Sequence, residues 1–395
     1  MSAGRVPGAR VTSLGVAFPS ILRTNAYWRR LRPELVAHAE AYSLARLWGP
    51  GERATAGPTT PFDLTMAPYL ADPFRGAVER RLRAPGETAL SMELAAARGA
   101  LSAAGLTPSD LDLVLSSSFV GDRLGVGNAA YLARELALEA PAWNFESACA
   151  GSVVGLHMSS SLVASGAYRR VLVVVSTSNS VQVEEGDTIG WFVGDGAGAF
   201  VVERSDSVEG VLGHHTVNSV GTNDMFVIRA VPDGRGGTRL TTVASPEAGA
   251  MARDTAEPYL RACVAGALRH AELSLRDVDF WVFNTPNAWY ADFCARVLGV
   301  EPGRYHSVYP RYGNIGAALA PATLYHALEE RRVRPGQTVG FYAVGSSSTA
   351  SALVLRAGDI ALGPTPLRPS VEDADAPVAM VAREATLGSH DGRHE

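Results

Sequence analysis

Residues 144–176 read NFESACAGSVVGLHMSSSLVASGAYRRVLVVVS. The stretch closes on VLVVVS (171–176), an apolar run with the pattern of a strand buried on both faces. Before it, AGSVVGLHMSSSLVASGA (150–167) places small and apolar residues at helical spacing and stops at Gly166. Cys149 therefore stands where a strand-like segment turns into a helix. A cysteine there receives the positive end of the helix dipole and unpaired backbone N–H groups, both of which favour the nucleophilic thiolate. The competing reading is a small buried hydrophobe. Cys263 and Cys294, each on an apolar helical stretch, read as structural.

Outward from this segment the chain repeats itself. GALSAAGLTPSDLDLVL (99–115) aligns without a gap to GALRHAELSLRDVDFWV (266–282), each a helix, a short turn and an Asp-x-Asp lead into a strand. GAYRRVLVVVSTSNS (166–180) resembles RVRPGQTVGFYAVGSSS (332–348), and GAGAFVVERSD (196–206) resembles TASALVLRAGD (349–359). The order helix, strand, helix, strand, strand thus occurs twice, which predicts an α/β protein of two pseudo-repeated halves with sheets layered between helices. The expected units are 1–207, carrying Cys149, then 208–361 and a tail at 362–395 rich in Pro, Asp and Ala. Residues 25–86 have no counterpart in the second half. They hold turn-forming chemistry around 50–62 and the apolar run FDLTMAPYLADPF. Such an insertion either borders the mouth of a site or is an embellishment.

Composition narrows the chemistry. All 35 basic side chains are arginine; the chain has no lysine, against 40 acidic groups and a net charge of −5. That excludes Schiff-base aldolases, pyridoxal phosphate aldimines and lysine-bearing P-loops. The balance gives no basic patch for nucleic acid. Three scattered cysteines make neither a disulfide framework nor a zinc site, and no metal or cofactor is expected. With no apolar run of signal-peptide or spanning length, a soluble cytoplasmic protein is the expectation.

Further motifs complete a set: GWFVGDGAGAFVVERSD (190–206), YGNIGAALA (312–320), YAVGSSSTASALVLR (342–356), the Thr24-Asn25 pair and APGET (84–88). Together with SACAGS they resemble the thiolase superfamily, and within it ketoacyl-acyl carrier protein synthase III, closest to the acyltransferase-type members of natural-product pathways. The resemblance covers residues 10–24 and 84–361. It implies a thiolase-like five-layered αβαβα fold and a Cys, His, Asn triad, with Cys149 as nucleophile and Asn314 as the asparagine. The histidine belongs to a motif that here reads FNTPNAW (283–289), and Asn284 occupies its place. Asparagine can donate a hydrogen bond but cannot act as a general base at neutral pH.

The resemblance further implies an oxyanion hole from the backbone N–H groups of Cys149 and Ser346, and a substrate pocket touched by Asn287, Phe119 and Gly125. It also implies a homodimer with FVGDRLGVG (119–127) at the interface, where Gly125 and Gly127 leave room for a large or aromatic acyl group. Gly194, Gly196 and Gly198 read as close-packing glycines rather than phosphate binders. Among the histidines, His157 lies two turns along the nucleophile helix and reads as packed; His214, His215, His306 and His326 are weak substitutes, and His38 lies in the insertion. The stretch that grips coenzyme A in the family has no recognisable match. DPFRGAVERRLR (72–83) either faces an acidic carrier protein or forms a solvated helix face.

The expected activity is an acyltransferase. An acyl carrier protein or coenzyme A thioester delivers an acyl group to Cys149, which passes it to a hydroxyl, amine or thiol acceptor in secondary metabolism. The rivals are a decarboxylating synthase III that forms a carbon–carbon bond and a non-catalytic subunit of a heterodimer.

Overall fold

The computed structural model describes residues 8–48, 60–123, 125–183, 186–234, 236–346 and 349–372. In chain order the first half contributes β1 (Gly8–Ala17), β2 (Ile21–Thr24), α1 (Asn25–Leu31), α2 (Pro33–Trp48), α3 (Pro61–Met66), β3 (Glu79–Leu82), α4 (Ala89–Ala103) and β4 (Leu113–Phe119). It continues with α5 (Ala129–Glu135), β5 (Ala142–Asn144), α6 (Gly151–Ala164), β6 (Arg170–Ser178) and β7 (Asp195–Ser205). The second half holds β8 (Gly210–Asn218), the hairpin β9 (Phe226–Pro232) and β10 (Thr238–Ala244), α7 (Ala248–Ala271), β11 (Phe280–Phe283) and α8 (Tyr290–Leu298). It ends with α9 (Tyr309–Tyr312), α10 (Leu319–Glu329), β12 (Thr338–Val344), β13 (Thr349–Arg356), β14 (Ala361–Leu362) and β15 (Ser370–Val371).

The duplication is visible in strand order. One sheet runs β14-β1-β7-β6-β4-β5 and the other β11-β12-β13-β8, so β1-β7-β6-β4 and β8-β13-β12-β11 follow the same path. Even the turns recur: Thr107 with Asp110, and Ser274 with Asp277, form matching capping boxes ahead of β4 and β11.

The layering follows from which faces are apolar. Val171 to Val175 on β6 are all fully buried, each worth roughly 1.5–3 kcal/mol relative to exposure. Val171, Val173 and Val175 face a central core shared with α6, α10 and the second sheet, while Leu172 and Val174 face α4. Because α6 and α10 lie between the sheets, most of their residues are buried, and small residues on α6 admit close neighbours; a Cβ on Gly155 would fall 2.7 Å from Val173. Helices α7 and α8 cover the outer face of the second sheet. The result is the expected order of helix, sheet, helix, sheet, helix.

The insertion packs beside the 284–290 loop. Ala77 joins Ala288 and Tyr309 in one apolar cluster, a Cβ on Gly76 would meet Ala288 at 2.6 Å, and Tyr69 lies against Trp289. The turn-forming residues 49–59 fall outside the described residues.

One expectation is corrected. Residues 72–83 do not form a solvated helix face: Glu79–Leu82 are strand β3, paired antiparallel with β2, and Arg80 and Arg81 are buried, which leaves Arg75 and Arg83 as the partly exposed arginines of the segment. Arg80 donates from Nε to the carbonyl of Trp191 at 2.6 Å and from Nη1 to Oδ1 of Asn25 at 2.5 Å, with its guanidinium over the rings of Trp28 and Phe74. Burial pulls its pKa down to about 9.

Candidate active site

Strand β5 leads into a loop that turns through a 3-10 segment, Ala148–Ala150, before α6 begins at Gly151. Cys149 therefore sits just ahead of the helix and is half-buried. Gly151 is required for the approach to Ser117 and Ala317, since a Cβ there would lie 2.8 Å from the Ser117 hydroxyl. Burial works against the expected thiolate: burial first, and then the charge of Glu146, push the Cys149 thiol up to about 12, while the N–H of Cys149 itself lowers it. Desolvation opposes the helix dipole here and favours the neutral thiol. Cys263 and Cys294 are fully buried in the outer core of the second half, and burial raises both.

Asn284 follows β11 and donates its backbone N–H to the carbonyl of Tyr342 at 2.9 Å. Its side-chain Nδ2 donates to the carbonyl of Cys149 and, at 3.2 Å, to that of Gly316. Both amide hydrogens are thus spent on main chain, and Oδ1 is buried with no partner among the described residues. Thr285 and Asn287 in the same loop also hold buried side-chain oxygens without partners among the described residues.

Asn314 is fixed by its main chain: its N–H donates to Phe192 at 2.7 Å, and its carbonyl accepts from Gly194 at 3.1 Å and from Nδ2 of Asn179 at 3.2 Å. Its Oδ1 accepts the N–H of Gly316 at 2.8 Å, while its Nδ2 stays unengaged among the described residues. Gly194 has to be glycine, because a Cβ would lie 2.2 Å from the carbonyl of Tyr312; Gly198 likewise abuts Pro321. The glycines are packing residues.

The loop after β12 completes the surroundings. A Cβ on Gly345 would fall 2.2 Å from the carbonyl of Ser147, so this loop lies on the peptide that precedes the nucleophile turn. Ser346 follows without a positive φ, and so serine occupies that position unstrained. The structure thus brings together Cys149, Asn284, Asn314 (through Gly316) and the 345–346 loop, whereas no contact among the described residues joins Asn287 to Cys149. Phe119 ends β4 half-buried, whereas Gly125 is exposed with open space around it and does not join Cys149 within this chain.

No described histidine is among the charges acting on Cys149. His157 stacks on His214 with ring centroids 3.4 Å apart, and His214 meets His270 edge-on, at the seam between α6, β8 and α7. His326 bonds Tyr312 and Glu329, and His38 is exposed on α2. Two acidic residues escaped sequence reading. Glu93 is fully buried, accepting from Ser118, Ser176 and Asn128, and burial raises its carboxyl to about 7. Glu146 accepts the N–H groups of Ser147 at 3.0 Å and Ala148 at 2.5 Å; its signal was a carboxylate three residues before the cysteine.

The two mirrored sheets around paired central helices, with a cysteine turn facing an asparagine loop, define a protein of the thiolase superfamily. Residues 144–220 match the family model for 3-oxoacyl-[acyl-carrier-protein] synthase III, and residues 268–357 match the model for its C-terminal part. The beta-ketoacyl-[acyl-carrier-protein] synthase III of Roseiflexus sp. strain RS-1 is 32% identical over 295 residues, covering 71% of this chain and 87% of that protein. Among solved structures, 3-oxoacyl-(acyl carrier protein) synthase III of Pseudomonas aeruginosa superposes with a TM-score of 0.71 at 23% identity, over 89% of this chain and 99% of that one. The priming beta-ketosynthase of the R1128 polyketide pathway superposes with a TM-score of 0.70 at 22% identity, over 91% and 99%. The chain belongs to the ketoacyl-acyl carrier protein synthase III family and is a transferase of that type. No helix among the described residues is long and apolar enough to cross a membrane.

Proposed function

We propose that this protein is an acyltransferase that moves an acyl group from a carrier-protein or coenzyme A thioester, through Cys149, to a hydroxyl, amine or thiol acceptor. In the first step the Cys149 sulfur attacks the thioester carbonyl. A new carbon–sulfur bond forms, the donor's carbon–sulfur bond breaks, and the proton leaving Cys149 ends on the departing thiol. In the second step the acceptor attacks the acyl-cysteine, its proton returns to sulfur, and free Cys149 is restored. The N–H groups of Cys149 and Ser346 face the developing oxyanion, and the free amide of Asn314 orients the carbonyl.

One observation carries the choice of transfer over condensation: Asn284 stands where the family resemblance places a histidine, and both its amide hydrogens are committed to the carbonyls of Cys149 and Gly316. It offers neither a base nor a spare donor to an enolate, and losing such a group typically costs about 10² to 10⁴ in rate. The unpaired oxygens of Asn284, Thr285 and Asn287 would each cost about 1–3 kcal/mol if left dry, and a substrate presenting N–H or O–H donors relieves them. A pantetheine arm, with its two amides, is such a substrate.

The test follows label from an acyl donor and from a malonyl thioester. Transfer predicts acyl label in an ester, amide or thioester of the acceptor without release of carbon dioxide. Carbon dioxide released together with a β-ketoacyl product establishes condensation instead.

A further inference from the structure

We propose that Glu146 is a positioning residue for Cys149: its carboxylate holds the turn that aims the nucleophile and places a negative charge beside the sulfur. The proposal rests on Cys149 being the nucleophile of the reading above.

The turn is strained and needs a restraint. Ala148, immediately before Cys149, has φ of +47°, a left-handed conformation that costs a non-glycine residue roughly 1–2 kcal/mol. One oxygen of Glu146 accepts the N–H groups of both Ser147 and Ala148, so the carboxylate fills the small anion-binding concavity that such a turn creates. The same peptides are held from the other side, where the carbonyl of Ser147 accepts from Ala150 at 3.0 Å and abuts Gly345. With Asn284 on the carbonyl of Cys149, the cysteine main chain is fixed at both ends.

The charge has an effect of its own. Glu146 is the one charged residue acting on the Cys149 sulfur among the described residues. The elements packed against the turn add no other. The segment 316–318 has no ionisable side chain, Tyr342 on β12 is buried, His157 lies two turns along α6, and Arg356 is at the far end of β13. Glu146 counts among the exposed residues, yet its carboxyl lies low enough for burial to raise it. An anion there disfavours a neighbouring thiolate. A site without a histidine to pair with the thiolate thus has burial and an anion both favouring the protonated sulfur.

The test uses iodoacetamide, whose reaction with Cys149 needs no acyl donor, so its result is separate from whether any thioester acylates the protein. Full-length protein and the variants Glu146→Gln, Glu146→Asp and Glu146→Ala are alkylated across a pH series, with Cys149→Ala as the blank, and intact mass gives the rates. Glu146→Gln keeps the acceptor and loses the charge, so its profile moves down by about one pH unit, or about tenfold in rate at fixed pH. Glu146→Asp keeps the profile of the parent, and Glu146→Ala melts below Glu146→Gln. In the unaltered protein, added salt screens Glu146 and speeds alkylation, a measurement that stands even where a variant fails to fold. A Glu146→Gln profile identical to the parent's, or alkylation of the parent that ignores salt, overturns the proposal.

Discussion

Asn284 donates a side-chain amide hydrogen to the main-chain carbonyl of Cys149 and its second to that of Gly316, tying the nucleophile turn to the asparagine loop. Alanine at this position leaves both carbonyls without that donor. The loss is structural: Asn284→Ala is expected to lower stability by about 2 kcal/mol or more, read by urea unfolding. Asn284→His restores a base, and malonyl-thioester decarboxylation should rise at least tenfold above the parent. A histidine variant that folds and releases carbon dioxide no faster removes the reason for preferring transfer.

Selective labelling tests the thiol assignments. Cys263 and Cys294 are fully buried, so a thiol reagent applied to the native protein modifies Cys149 alone, slowly at neutral pH, because its pKa is pushed up to about 12. Intact mass should show one adduct, absent in Cys149→Ala and rising to three in urea.

Glu93 gives stability a pH dependence of known sign. Its carboxyl is raised from 4.5 to about 7, so the folded state binds the proton more tightly than the unfolded one. Stability from this group is fully present below the unfolded value and is lost as pH rises through about 7. The order of magnitude is about 3 kcal/mol between pH 4.5 and 7. Subtracting the unfolding free energy of Glu93→Gln from that of the parent isolates the effect; a flat difference across this range contradicts it.

Arg80 is fully buried with no carboxylate ion-paired to it among the described residues, held by carbonyls, Asn25 and aromatic rings. Arg80→Ala empties that space and leaves the Trp191 carbonyl unpaired, for an expected loss of about 3 kcal/mol or more. Arg80→Met fills the volume without a charge and should cost less. Thermal unfolding of the two variants checks the order.

What the sequence disclosed was local or repeated. The 99–115 and 266–282 segments announce the duplication because each carries its own helix, turn and strand signal, and VLVVVS has the pattern of a strand buried on both faces. Cys149, Asn284 and Asn314 were legible through motif spacing, and the structure brings them together. Arg80 was not: two arginines beside a glutamate read as surface until β3 is paired with β2, a contact more than fifty residues away in sequence. The state of the thiol was equally hidden. The helix dipole is visible from sequence, but the depth of Cys149 and the position of Glu146 are set by the loops around 284, 316 and 345. Glu93 lies on an apolar helix face, and nothing local marks Ser118, Ser176 and Asn128 as its donors.

The central claim is that an acyl group rests on Cys149 and leaves without carbon–carbon bond formation. The most direct measurement is intact-protein mass spectrometry after mixing with short-chain, aromatic and malonyl thioesters of carrier protein or coenzyme A. The account predicts the mass of the acyl group added to the parent, none added to Cys149→Ala, and loss of the adduct when a hydroxyl, amine or thiol acceptor is supplied. Turnover in Cys149→Ala equal to the parent's, with no adduct from any donor, would contradict it.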